Sequence, residues 1–283
     1  MGLVLLASSC RAADLGEALA LFSGKQYPEA KEILVGLARN DPANTRLAYY
    51  AGRSFIKSRQ PRKAIEYLQR ATQTEAADAD GYYLLGVAYI ARINEVNVFR
   101  KLGVARKAKA AWIKSLQLDE SHLRSRYALA NFYINAPSIA GGDVDQAKRE
   151  LVILQARHPD YAVIVKAILQ EKEGNIEAAH ELFRESERRI TDRAFPPFNT
   201  AQFLYRQKRY DEALAALTRY NQLDKAWDDP AELFVHLVTG NIYAELNDTN
   251  AARREFRTAL SLQPSEAITE LIEEQLADLN KGN

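Results

Sequence analysis

Cysteine is almost missing from this chain: Cys10 stands alone among 283 residues, so neither an intrachain disulfide nor a thiolate metal cluster can form. The four histidines (His122, His158, His180, His236) are at least 22 residues apart, which denies them the short helical spacing of a metal motif. Glycine (13) and proline (9) are scarce beside 44 alanines, a balance that disfavours short strands and tight turns and suits helices. Neither sign of charge dominates: 38 Lys and Arg against 37 Asp and Glu leave a net +1. No global field therefore recruits nucleic acid or membrane, and nucleic acid is not an expected partner. No segment reaches the roughly 20 consecutive apolar residues of a membrane span. We find no nucleophile with a base, no carboxylate pair beyond ordinary surface charge and no nucleotide loop, so no catalytic residue, metal or cofactor is expected. What is present is 47% hydrophobic and 27% charged residues, enough apolar material for a packed fold.

The first residues form an apolar run, Gly2 to Ala7, followed by Ser8, Ser9, Cys10, Arg11, Ala12 and Ala13. This resembles the end of a secretory signal, although no Lys or Arg precedes Arg11. Residues 1–12 are read as a truncated signal segment, which implies a periplasmic or otherwise exported protein; the alternative is a frayed cytoplasmic N-terminus. Cys10 follows Leu6, Ala7, Ser8 and Ser9 much as a lipid-attachment cysteine would, with Leu6 one position too far upstream. Membrane association is expected only through a lipid at Cys10.

Self-similarity organises residues 13–266. Segments ending in Ala30, Ala64, Ala108, Ala147, Ala179, Ala213 and Ala252 align, and four residues after each alanine comes a large apolar side chain: Leu34, Leu68, Trp112, Leu151, Phe183, Leu217 and Phe256. One helical turn separates the members of each pair, so they share a face. Upstream stands another small residue: Ala18, Gly52, Gly86, Ala130, Ala167, Ala201 and Gly240. Small side chains let antiparallel helices approach to the short end of the ~8–10 Å interaxial range, and the bulky residue fills the space beside the contact.

The pattern resembles the tetratricopeptide repeat, whose period is roughly 34 residues; residues 233–266 carry it most fully with Gly240, Tyr243, Ala252, Phe256, Ala259 and Pro264. The resemblance implies an all-α fold, a right-handed α-solenoid of about seven helix pairs. Residues 267–283 supply a C-terminal capping helix and tail, the helix being the amphipathic, acidic segment 265–279 that a solenoid needs over its last apolar face. The motif residues are packing residues, so the resemblance is specific for fold and not for function.

Two insertions depart from the family. Ten extra residues lie between Tyr89 and Ala108, and Val98, Leu102, Ala105 and Trp112 recur there at helical spacing, which predicts a B helix that begins early and overhangs. It carries Arg100, Lys101, Arg106, Lys107, Lys109 and Lys114 and no acid between Arg100 and Lys114, a candidate anion-attracting patch or an ordinary solvated face. In the second insertion Pro137 ends a helix, Gly141 and Gly142 permit a reversal, and Asp143 with Gln146 reads as an N-cap and capping box.

The resemblance also implies that the fifth and ninth residues of each repeat face a concave groove. Those residues include Tyr49, Arg53, Tyr83, Tyr127, Asn131, Phe198, Gln202 and Asn241, the candidate partner-binding set. Aromatics with scattered Arg and amide groups suit a protein or peptide partner with apolar side chains. Packing between adjacent A helices is the competing role for the tyrosines. The expected function is a protein-binding scaffold or adaptor; the alternative, a transporter-associated or small-ligand-binding exported protein, requires a closed pocket.

Overall fold

The computed structural model of the chain describes residues 14–73 and 78–281. Among the described residues there are fifteen α-helices and no strand. The helices are α1 (14–23), α2 (Tyr27–Asn40), α3 (Thr45–Lys57), α4 (Pro61–Ala71), α5 (Ala79–Ala91), α6 (Val98–Leu118), α7 (Leu123–Asn135) and α8 (Val144–Arg157). They continue with α9 (Pro159–Lys172), α10 (Ile176–Arg189), α11 (Phe195–Arg206), α12 (Tyr210–Gln222), α13 (Glu232–Glu245), α14 (Thr249–Ser261) and α15 (Glu266–Lys281). Odd-numbered helices to α13 are the A helices of successive pairs and even-numbered ones the B helices, the α-solenoid architecture that the repeat spacing predicts. The chain divides into two compact units: residues up to Phe132 with Ala136–Gly142, and Tyr133–Asn135 with the residues from Asp143 onward. Residues 1–12, read as a signal segment, and Cys10 with them, lie outside the described residues.

Small residues set the helix contacts as the spacing requires. All seven repeat alanines, Ala30 through Ala252, are fully buried. Gly52, Gly86 and Gly240 face the large residue of their own B helix so closely that no side chain fits. A Cβ on Gly52 would stand 2.6 Å from Leu68 Cγ, and one on Gly240 2.6 Å from Phe256 Cε1. On Gly86 it would meet the Trp112 indole, with Cδ1 at 2.6 Å.

The A-to-B turns share one device. Lys25, Arg59, Gly174, Lys208 and Asn247 have φ between 53° and 85°, and each stands five residues before its repeat alanine. The next amide closes a six-residue ring onto the A helix, as in Gln60 N–H to Phe55 O (2.9 Å) and Arg209 N–H to Leu204 O (2.9 Å). This is a left-handed C-cap motif that glycine adopts without strain. Four of the five positions hold it without glycine.

Helix starts are capped or opened by proline. Asn44, Asp78, Asn97, Asp143 and Asp248 accept backbone N–H bonds from the first turn of their helices; Pro61 and Pro159 open α4 and α9, where a missing N–H costs nothing. Asp143 caps α8 as expected, with Asp145 and Gln146 amides at 3.0 Å from Oδ1. The capping box does not close, because the Gln146 side-chain oxygen instead accepts from Arg149 Nε at 3.1 Å. Gly141 has φ 99°, and a Cβ on Gly142 would collide with the Ala136 carbonyl, so both glycines are required by the turn.

A third insertion, between α12 and α13, is held by Asp229, whose side chain is fully buried. Its carboxylate accepts from Ala226 N–H (2.7 Å), Ala194 N–H (3.3 Å) and Arg193 (3.1 Å), bonds that offset the cost of burying the charge. At the end of the chain, Ile272 of α15 is fully buried against the core of Leu233, Ala252, Phe256 and Ala259. Ile268, Leu276 and Leu279 pack around it, so α15 covers the last pair as the capping role requires.

Candidate functional site

Five of the eight expected groove residues belong to the first unit: Tyr49 and Arg53 on α3, Tyr83 on α5, Tyr127 and Asn131 on α7, all half-buried. They occupy equivalent places on successive A helices. Tyr83 is fixed from behind, since Trp112, seated against Gly86, donates its indole N–H to the Tyr83 carbonyl at 3.2 Å. Ser115 of α6 also donates to Ala79 O at 2.7 Å and accepts from Ser125 of α7 at 2.7 Å, tying α5, α6 and α7 together through fully buried hydroxyls.

On the exposed side the tyrosines meet charges. Asp80, one turn before Tyr83, accepts a hydrogen bond from His122 Nε2 at 3.1 Å and has Arg124 Nη1 at 3.5 Å. His122 is also the N-cap of α7, its Nδ1 accepting the Ser125 amide at 3.2 Å, and its ring lies 5.6 Å from that of Tyr83. The hydrogen bond from His122 and the charges of Arg124 and Arg53 hold the Asp80 carboxyl below its usual range, against the opposing effect of burial. Burial, with the nearby Asp80 charge, pushes the Tyr49 phenol up to about 12. A cavity of about 470 Å³ opens between the starts of α3 and α5, lined by Arg46, Tyr49, Tyr50, Asp78 and Asp80 among others. The Tyr49 and Tyr50 rings meet edge to face at 5.2 Å, and Arg46 lies 5.8 Å from the Tyr50 ring.

Some expected residues have other work. Arg53 lies 4.5 Å over the Phe22 ring, turned towards α1. Asn131 donates its amide to the Tyr127 carbonyl of its own helix at 3.0 Å. Phe198 corrects the expectation: it is 6% exposed, its ring 5.9 Å from Tyr220, and so belongs to the core of the second unit. Ile164, at the equivalent place on α9, is fully buried as well. Gln202 and Asn241 are half-buried on α11 and α13, and no tyrosine ladder runs beside them.

The basic set lies on a helix that begins early, as predicted: α6 spans 21 residues. Its six cations do not form one patch. Arg100, Lys107 and Lys114 recur every seven residues along one line. Lys101 is exposed elsewhere on the helix, Arg106 donates to Ile139 O at 2.9 Å, and Lys109 is partly buried beside Gly141.

The residues that sequence reasoning missed are Asp80, His122 and Arg124. The signal for them is a column: Arg46, Asp80 and Arg124 stand three residues before the three tyrosines and alternate in sign. Among the described residues, no group of three or more His, Cys, Asp or Glu could hold a metal ion, and no helix is long and apolar enough to cross a membrane.

Profiles of the Tetratricopeptide repeat match residues 49–92 and 236–266. A curated relative, the tetratricopeptide repeat protein 36 homolog of Drosophila melanogaster, is 32% identical over 109 residues, 38% of this chain and 58% of that protein. The chain thus spans little more than half the length of that relative. A tetratricopeptide repeat protein from Parabacteroides merdae superposes with a TM-score of 0.63 at 15% identity, over 95% of this chain and 98% of its own. A chain of the APC/C hetero-tetramer Cut9–Hcn1 does so with 0.55 at 16% identity, over 94% and 48%. The fold is that of the tetratricopeptide-repeat proteins, and residues 49–92 and 236–266 are similar to that repeat in sequence.

Proposed function

We propose that this chain is a protein-interaction scaffold that holds a protein or peptide partner on the A-helix face of its first unit. Tetratricopeptide-repeat proteins act generally as interaction scaffolds, and the role proposed here is likewise binding without catalysis. The observation that carries the reading is the row of half-buried Tyr49, Tyr83 and Tyr127 on α3, α5 and α7, bordered by Arg46, Asp80 and Arg124. Packing between helices uses only the inner part of a ring. The accessible part of each half-buried ring offers contact area at low entropy cost, and alternating charges fix the register of what lies across it. An extended or helical peptide with apolar anchors and charges of both signs is the matching ligand.

The test uses peptides selected from a random display library on the immobilised full chain. Tyr83→Ala and Tyr127→Ala should each weaken a selected peptide by about tenfold or more, in the hot-spot range. Changes at the exposed Lys114 of α6 and Arg149 of α8 should leave affinity unchanged. A folded double tyrosine variant that binds as well as the parent would overturn the reading. We also propose export, on the apolar run and small residues of segment 1–12; sequencing the mature N-terminus in the native host should find Ala13, Asp14 or a lipidated Cys10, and intact Met1 in the cytosol would count against it.

A further inference from the structure

We propose that the overhanging start of α6 is a contact site for an anionic lipid bilayer surface, independent of any lipid at Cys10. Seven residues of α6, Val98 to Val104, precede Ala105, its first buried residue. At ~1.5 Å per residue the helix start stands roughly 10 Å before that residue, and its first four residues, Val98 to Lys101, are all exposed. The tip is apolar where water is expected: Val98 is 70% and Phe99 91% exposed, the latter the most exposed large apolar side chain among the described residues. Arg106 lies two turns from Phe99 on the same face, and its bond to the Ile139 carbonyl sets Ile139, itself 69% exposed, beside it. Segment 92–118 has seven Lys and Arg and one acid, Glu95; four of the seven fall within the first ten residues of α6. The positive end of the helix dipole adds to the potential there.

Shape and charge together select the occupant. A protruding helix end has no groove in which to wrap a peptide. It can seat one aromatic and one or two aliphatic side chains at the acyl boundary while Arg and Lys remain at phosphate level, as interfacial helices do. The excess of positive charge makes this favourable on anionic and not on zwitterionic lipid.

Flotation of the full chain with phosphatidylcholine vesicles, with and without about 30% phosphatidylserine, tests this. The parent should float with the anionic vesicles alone and be released by salt. Phe99→Ser should weaken partition by about tenfold or more, and Arg100→Gln and Lys101→Gln by about fivefold each. Lys114→Gln should have no effect, since it lies roughly 20 Å along the helix from the tip, beyond the ~8 Å screening length. Tyr83→Ala should float like the parent, which separates this surface from the proposed partner site. Equal behaviour on neutral and anionic vesicles overturns the proposal, as does anionic binding that survives the Phe99 and Arg100/Lys101 changes. An acidic peptide that binds the tip in the absence of any vesicle binding overturns it too.

Discussion

Adding one methyl group at Gly86 should destabilise the chain, while the same change at Gly36 should stabilise it. Both glycines lie inside helices, so Gly→Ala gains about 1 kcal/mol of helix propensity at each. At Gly36 nothing lies within 4 Å of the new Cβ, and the gain of about 0.5–1 kcal/mol survives. At Gly86 the methyl would overlap the Trp112 ring, with Cδ1 at 2.6 Å and Cε2 at 2.7 Å. Trp112 is 5% exposed and closely surrounded, so moving it costs about 1–3 kcal/mol of overpacking. Its bond to the Tyr83 carbonyl goes with it, about 1 kcal/mol more. The net loss is about 1–3 kcal/mol, and the two variants should differ in sign. Urea unfolding followed by circular dichroism gives the midpoints; tryptophan fluorescence in a Trp227→Phe background, which leaves Trp112 as the one tryptophan, reports the Trp112 pair locally, which matters because stacked repeats can unfold in parts. Two shifts of the same sign and size would refute the assignment of Gly86 to the helix contact.

Replacing Ala213 or Ala252, both fully buried, with Leu should cost about 1–3 kcal/mol, whereas Leu at the exposed Ala277 of α15 should be nearly neutral in the same unfolding assay. Lys208, with φ 59°, should become more stable as Gly, because relief of about 1–2 kcal/mol of left-handed strain exceeds the ~0.5–1 kcal/mol entropy cost of glycine; Gly174→Ala at the equivalent turn should lose stability. Asp80 has its native pKa below the unfolded one, so its bonds contribute above about pH 4 and are lost as pH falls through the native value. The carboxylate is 43% exposed, which screens the contribution to under about 1 kcal/mol. Asp80→Asn should therefore lower the unfolding midpoint at neutral pH, and the gap from the parent should close in acid; a gap independent of pH would contradict the ion-pair account.

Much of the fold is legible in residue size alone. Pairs such as Gly240 with Phe256 report a helix contact because close approach demands a missing side chain, and the spacing that brings them together also brings Gly86 to Trp112. The left-handed turns were harder to see, since Lys25, Arg59 and Lys208 occupy a conformation that their side chains do not advertise; only Gly174 and Asn247 carry the ordinary signal. Asp229 gave no signal either, because a buried carboxylate in a loop is recognisable only by the amides around it. The candidate site was half legible. Position within the repeat puts Tyr49, Tyr83 and Tyr127 at equivalent, half-buried places on successive A helices, but the same rule puts Phe198 on a surface, whereas its apolar ring packs in the core. Asp80 and His122 are brought together across 42 residues by helix stacking, and repeat position does not predict that bond.

The tyrosine face of the first unit is the proposed place of partner binding. A display-selected peptide carrying a photoreactive residue, cross-linked to the full chain and mapped by mass spectrometry, tests it most directly. Cross-links should fall on residues 46–53, 80–87 and 124–131 of α3, α5 and α7. Cross-links confined to the outer faces of α6 and α8 near Lys114 and Arg149, or to the helices of the second unit, would contradict it.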